Sequence, residues 1–205
     1  MSPKPIHVSN GYTFYFLVAI LLLSLILRFY KIAEHGIFFD EKATMLVSQG
    51  IVQDGGNQHN TFDKGKLIFT NQEFWKEKKL PDYYEAMTRS DIGNSPFYYF
   101  LLHNWMKVFG ISDYSARAMS AIFSTLLVLM IFVFTKHFFK SDELALTASL
   151  LAAIEPFFIT YAQQARNYSL TFFLTLLGTY YFLRALEYPK ANNYKWYVAY
   201  ALTML

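Results

Sequence analysis

The sequence predicts an all-α integral membrane protein: a polytopic helical bundle with a long outer loop, carrying interfacial helices, after the first span. Three observations predict it. Of the 205 residues, 54 % are hydrophobic and 16 % charged, against roughly 25 % charged in an ordinary soluble domain, too little polar side chain to coat a soluble surface. Mean hydropathy is only +0.21, so very apolar blocks are diluted by a polar one. Several apolar blocks also approach the ~20 residues that a span requires. The same composition excludes other classes. The 21 Phe, 16 Tyr and 3 Trp demand burial and exclude disorder. With 0 Cys there is no disulfide scaffold and no thiolate zinc site. A net charge of +3 is too small and too dispersed for a nucleic-acid partner.

The first uncharged run, 12–27, extends to a span over about 12–30, with Tyr and Phe at both ends as interfacial anchors. It exceeds the apolar core of a cleaved signal peptide and runs into Arg28-Phe29-Tyr30-Lys31, which fits a retained anchor. Residues 34–91 hold most of the acids and cannot lie in hydrocarbon. Within them Asp40 to Ser48 reads as a helix stopped by Gly50, and Asp54-Gly55-Gly56-Asn57 as a turn. Thr70-Asn71-Gln72-Glu73 is a capping-box pattern that opens a short helix ended by Pro81. Ser95-Pro96 opens another helix. It is too short to span and is expected to lie in the interface, with Phe97, Leu101, Trp105 and Val108 on one face. Further spans follow at about 116–135, 144–161 and 168–185. A last block at 196–205 stops inside a helix, which makes the chain the expected N-terminal module of a longer protein.

Lys and Arg in the short connections set the orientation. With Lys4 inside, Lys136 and Lys140 are inside, as are Arg184, Lys190 and Lys195. The loop 34–113 and the link 162–168 then face outside. That places two groups of polar residues at the outer edge: Asp40-Glu41 after the first span, and Glu155 with Gln163-Gln164-Ala165-Arg166-Asn167-Tyr168 between the third and fourth. Carboxylates opposite an Arg beside a bilayer suit a charged lipid headgroup. A carboxylate can serve as general base toward a hydroxyl, and Arg can neutralise a leaving phosphate. Structural readings stand beside these. Asp40 can cap its helix, Glu41 can be a first-turn acid, and Arg28 and Lys31 can be snorkelling anchors. The 5 His show no metal-ligand spacing.

Four stretches in series carry a resemblance: Phe39-Asp40-Glu41-Lys42-Ala43; Asn94-Ser95-Pro96-Phe97-Tyr98-Tyr99 through His103; Phe109-Gly110-Ile111-Ser112-Asp113 through Arg117; and Tyr161-Ala162-Gln163-Gln164-Ala165-Arg166-Asn167-Tyr168. In order and spacing the chain resembles the N-terminal module of the GT-C-fold membrane glycosyltransferases, in the branch of protein mannosyltransferases and lipid A aminoarabinose transferases. The resemblance implies transfer of a sugar, with inversion, from a polyprenyl-phosphate donor to a lipid, glycan or protein acceptor at the outer or lumenal face. It implies a multi-pass protein, in the cell membrane if prokaryotic. Asp40 and Glu41 match the catalytic acid position. Arg166, Tyr168, Gln164 and Arg28 are the implied donor-binding residues, and a divalent cation is an open cofactor. Tyr168-Ser169-Leu170 follows the arginine where protein mannosyltransferases tend to carry an acid, which argues against that subtype. The reading from a different class is a transporter or flippase module in which Asp40, Glu155 and Arg166 form a gating network.

Overall fold

A computed structural model describes residues 10–52, 70–89, 95–187 and 194–204. The turn expected at 54–57 lies outside them. Among the described residues every regular element is a helix: α1 (Asn10–Phe29), α2 (Phe39–Ser48), α3 (Asn71–Trp75), α4 (Leu80–Arg89), α5 (Pro96–Phe109), α6 (Asp113–Phe139), α7 (Asp142–Ile154), α8 (Pro156–Ala162), α9 (Tyr168–Glu187) and α10 (Tyr194–Met204). The fold is all-α. Three helices, α1, α6 and α9, are long and apolar enough to cross a membrane, and α7 with α8 forms a fourth apolar stretch bent by 57°. The chain divides into two compact units.

The span unit comprises residues up to Tyr30, Ala121–Gln163 and Tyr168 onward. Its helices bury small and polar side chains and leave large apolar ones outside, the arrangement that lipid solvation permits. On α1 the buried residues Thr13, Ile20, Ser24 and Arg28 fall on one stripe, while Tyr15, Phe16, Leu22 and Ile26 are exposed. On α7 the buried stripe is Ala145, Ser149, Ala152 and Ala153, and α7 lies against α1. Ile20, Val128, Ala152 and Ala153 form the core, with Leu21, Ile131, Leu146 and Phe158 packed on it. Gly178 lets α9 and α10 close up, since a Cβ there would sit 2.8 Å from Thr203 Oγ1 and collide with Met204.

The sequence expects an unbroken span over 144–161, but the helix breaks at Glu155. Pro156 cannot donate to the preceding turn. Glu155 then acts as N-cap of α8, its side chain accepting from Phe157 N–H. The break frees the last carbonyls of α7, and Arg28 takes them up. Its guanidinium donates to Ala153 O at 3.0 Å, Ala152 O at 3.2 Å, Ser24 O at 3.3 Å and Ser124 Oγ at 2.7 Å. Gln163, directly after α8, returns the service to α1. Its amide donates to Tyr30 O at 2.9 Å and Arg28 O at 3.3 Å.

The loop unit comprises Lys31–Ser120 and a four-residue strap, Gln164–Asn167. Here α2 packs on α4 and α5. The expected capping box forms, with Thr70 Oγ1 accepting from Glu73 N–H and Glu73 Oε2 accepting from Thr70 N–H. The helix it opens ends at Trp75 rather than at Pro81, because Lys76 is extended. Pro81 instead sits in the first turn of α4, where its missing N–H costs nothing. The buried face of α5 is Tyr98, Tyr99, Leu102 and Met106. Phe97 and Val108, expected together on the apolar face, are exposed. Gly50 closes α2 at φ +69°, flat against the ring of Tyr83.

Candidate active site

The site is built where α2 begins. Phe38 is extended and precedes the helix. Its N–H, orphaned like every helix-start donor, reaches the Glu41 carboxylate at 3.3 Å. Asp40 and Glu41 both lie in the first turn, where the helix dipole favours negative charge, but one residue of rotation sends them opposite ways. Asp40 is exposed, and among the described residues none hydrogen-bonds or ion-pairs with its carboxylate. Glu41 is 0 % exposed.

Glu41 is buried because Arg117, from the first turn of α6, meets it. Arg117 Nε donates to Oε1 at 2.8 Å and Nη2 to Oε2 at 2.7 Å, the fork geometry that only arginine offers. The remaining guanidinium hydrogens go to the carbonyls of Ile32 at 2.9 Å, His35 at 2.6 Å and Gly36 at 3.0 Å. All five donors are satisfied, and Glu41 Oε1 accepts a fourth bond from Ala165 N–H at 2.7 Å. A buried ion pair holds only when its leftover donors and acceptors are also met, and this one meets that condition. It ties the loop after α1, the start of α2, the start of α6 and the strap into one knot.

The strap places Arg166 over α2. Arg166 Nη1 donates to Thr44 Oγ1 at 3.0 Å and to Asp40 O at 3.2 Å. Ser120 Oγ donates to the Arg166 carbonyl at 3.1 Å and is itself bonded to the hydroxyl of Tyr98, 3.1 Å away. Burial pushes the Tyr98 phenol above its ordinary pKa, with the Ser120 hydrogen bond opposing, so this brace stays neutral.

The sequence-derived candidates therefore separate. Asp40, Glu41, Gln164 and Arg166 share the loop unit, and the Gln164 carbonyl accepts from Arg166 N–H at 2.8 Å. Arg28 and Tyr168 belong to the span unit. Arg28 is 0 % exposed and caps α7. Tyr168 opens α9, its ring edge-on to Tyr161 at 4.8 Å. Sequence reasoning gave Arg117 no role, although it is the partner of Glu41. The available signal was a cation flanking an apolar span on the side assigned as outer, against the positive-inside bias. Gln163, rather than its neighbour Gln164, bonds the carbonyls at the end of α1. Among the described residues no cluster of three or more His, Asp or Glu forms a cation site.

Asp40 is thus an open carboxylate whose backbone holds an arginine, next to a closed carboxylate that holds the scaffold. The model of the dolichyl-phosphate-mannose-protein mannosyltransferase family matches residues 93–205. That stretch contains Arg117 and the strap, and begins after Asp40 and Glu41. No curated protein and no solved structure matches the chain. With more than half its length matched and its all-helical, span-rich fold in agreement, the chain belongs to the dolichyl-phosphate-mannose-protein mannosyltransferase family of GT-C-type membrane glycosyltransferases.

Proposed function

We propose that the chain carries the general base and the phosphate-binding cation of a transferase that moves a hexose or pentose from a polyprenyl phosphate to an acceptor hydroxyl at the outer membrane face. The observation that carries this reading is Arg166 held on the backbone of Asp40, in one compact unit. Asp40 accepts the acceptor's proton as the acceptor oxygen attacks the anomeric carbon. The bond from that carbon to the phosphate oxygen breaks with its electron pair staying on the phosphate, and configuration inverts. Arg166 offers its guanidinium charge to the phosphate as negative charge grows there. Gln164 shares the strap and is a further donor contact in this reading. Glu41 is assigned to holding the site rather than to chemistry, and Arg28 to capping α7 rather than to binding donor. The acceptor class, lipid, glycan or protein, is left to assay, as is any divalent cation.

A transporter module would share one feature, the broken α7–α8 span, since transporters bind their cargo at such breaks. Here the freed carbonyls are taken by Arg28, which leaves the break filled by the protein's own side chain.

The test uses membranes carrying the full-length protein and radiolabelled dolichyl-phosphate mannose. Asp40→Asn should insert normally and lose transfer by ~10²–10⁴-fold, the usual worth of a general base. Normal insertion with near wild-type turnover would remove Asp40 from the chemistry.

A further inference from the structure

We propose that Thr44 is a positioning residue that sets the orientation of the Arg166 guanidinium; the proposal rests on the reading of Arg166 as the donor's phosphate ligand. Thr44 is 0 % exposed and so cannot itself touch a substrate. Its hydroxyl has one hydrogen, which goes to Asp40 O at 2.9 Å, one turn earlier in α2. That commits the oxygen's lone pairs outward, and one accepts from Arg166 Nη1 at 3.0 Å. The second Nη1 hydrogen goes to Asp40 O at 3.2 Å. Both Nη1 hydrogens are therefore fixed by neighbouring acceptors on α2, and two bonds from one nitrogen define the plane of the guanidinium. An arginine is a long side chain whose ordering opposes binding. Thr44 shares in that ordering before any donor arrives, which is preorganisation in the sense that governs binding.

The strap's main chain is held independently. Ser120 donates its only hydrogen to Arg166 O, so Tyr98 must be the donor in the Tyr98–Ser120 bond. Ser120 thus fixes where Arg166 emerges and Thr44 fixes where its charge points. The two roles predict different losses. Thr44 affects the anion grip alone, whereas Ser120 affects the whole strap.

Binding of dolichyl-phosphate mannose to the full-length protein tests this. Thr44→Val keeps the shape and deletes the hydroxyl, and should weaken binding about tenfold, the worth of one hydrogen bond to a charged group. Thr44→Ser keeps the hydroxyl and should bind within about twofold of wild type. On an Arg166→Lys background, where the fork is already gone, Thr44→Val should add no further loss; a merely structural threonine would cost the same on either background. If Thr44→Val fails to insert, Thr44→Ala provides the same comparison. Wild-type binding by folded Thr44→Val, beside weak binding by Arg166→Ala, overturns the role of Thr44 alone. Wild-type binding by folded Arg166→Ala overturns this proposal together with the reading of the site.

Discussion

Two adjacent carboxylates with opposite surroundings define the chemistry at the scale of single residues. About 100° of helical rotation separates Asp40 from Glu41, enough to put one in solvent and the other against Arg117. The sequence treats them as a catalytic pair, and nothing in a stretch reading Phe-Asp-Glu-Lys says which will be buried. The deciding partner, Arg117, is 76 residues away, and no local pattern announces it. Different variants should therefore fail differently. Glu41→Gln leaves Arg117 buried without its countercharge, and breaking a buried pair in this way costs about 3–5 kcal/mol. The expected result is a sharp fall in melting temperature and early proteolysis of the loop unit, with the folded fraction keeping its turnover. A Glu41→Gln protein of normal stability and low turnover would return Glu41 to the catalytic machinery.

At the scale of elements, what was legible depended on whether the signal was local. The capping box at Thr70 and the Pro96 helix start read correctly because a few adjacent residues satisfy one another. On α5 hydrophobicity alone does not separate the side that packs on protein from the side left outside, since both are apolar: Tyr98 and Tyr99 are buried, while Phe97, Phe100 and Val108 are exposed, which is compatible with an apolar face turned to a membrane interface. The break in α7–α8 had a signal, Pro156, but an apolar run masked it. Arg28 is the residue that stabilises the break. Arg28→Ala should lower thermal stability strongly, Arg28→Lys less so, and donor affinity of the folded protein should stay at the wild-type level; a selective loss of affinity would instead make Arg28 a donor ligand. His103 donates from Nδ1 to Ser48 O at 3.2 Å, between the rings of Trp75 and Tyr83. Burial holds its pKa below the ordinary 6.5, with the nearby charges of Lys107 and Lys78 acting the same way and the Ser48 bond opposing. Just below pH 6.5 the unfolded chain therefore binds more protons than the native one, and stability falls as the pH drops through that window. Melting curves should show this acid slope in the wild type and a flatter one in His103→Phe. An unchanged slope in the variant would assign the titration elsewhere.

For the whole molecule, composition alone gave the class, since a chain this apolar and this poor in charge can only be solvated by lipid. Of the candidate site, Asp40 and Arg166 were legible as types of residue at the right edge of two apolar runs. Their association through Thr44 was not, because it depends on a strap 122 residues further along the chain. Which side of the membrane this association faces turns on α5. A 14-residue helix at ~1.5 Å per residue is about 21 Å long, short of the ~30 Å of hydrocarbon. The 27 residues of α6 reach about 40 Å by the same measure. Crossing with α6 and not with α5 keeps Asp40 and Arg166 on the outer side when the N-terminus is inside, and it agrees with the basic residues Lys136 and His137 in the last turn of α6. The chain has 0 Cys, so single cysteines can be introduced without removing any. Glu77→Cys lies between α3 and α4, and Glu143→Cys is exposed in the first turn of α7. In intact cells an impermeant thiol reagent should label the first directly and the second only after permeabilisation. Labelling of both from the same side would make α5 a true span and would place the strap and Asp40 on opposite sides of the membrane, which no single site could survive.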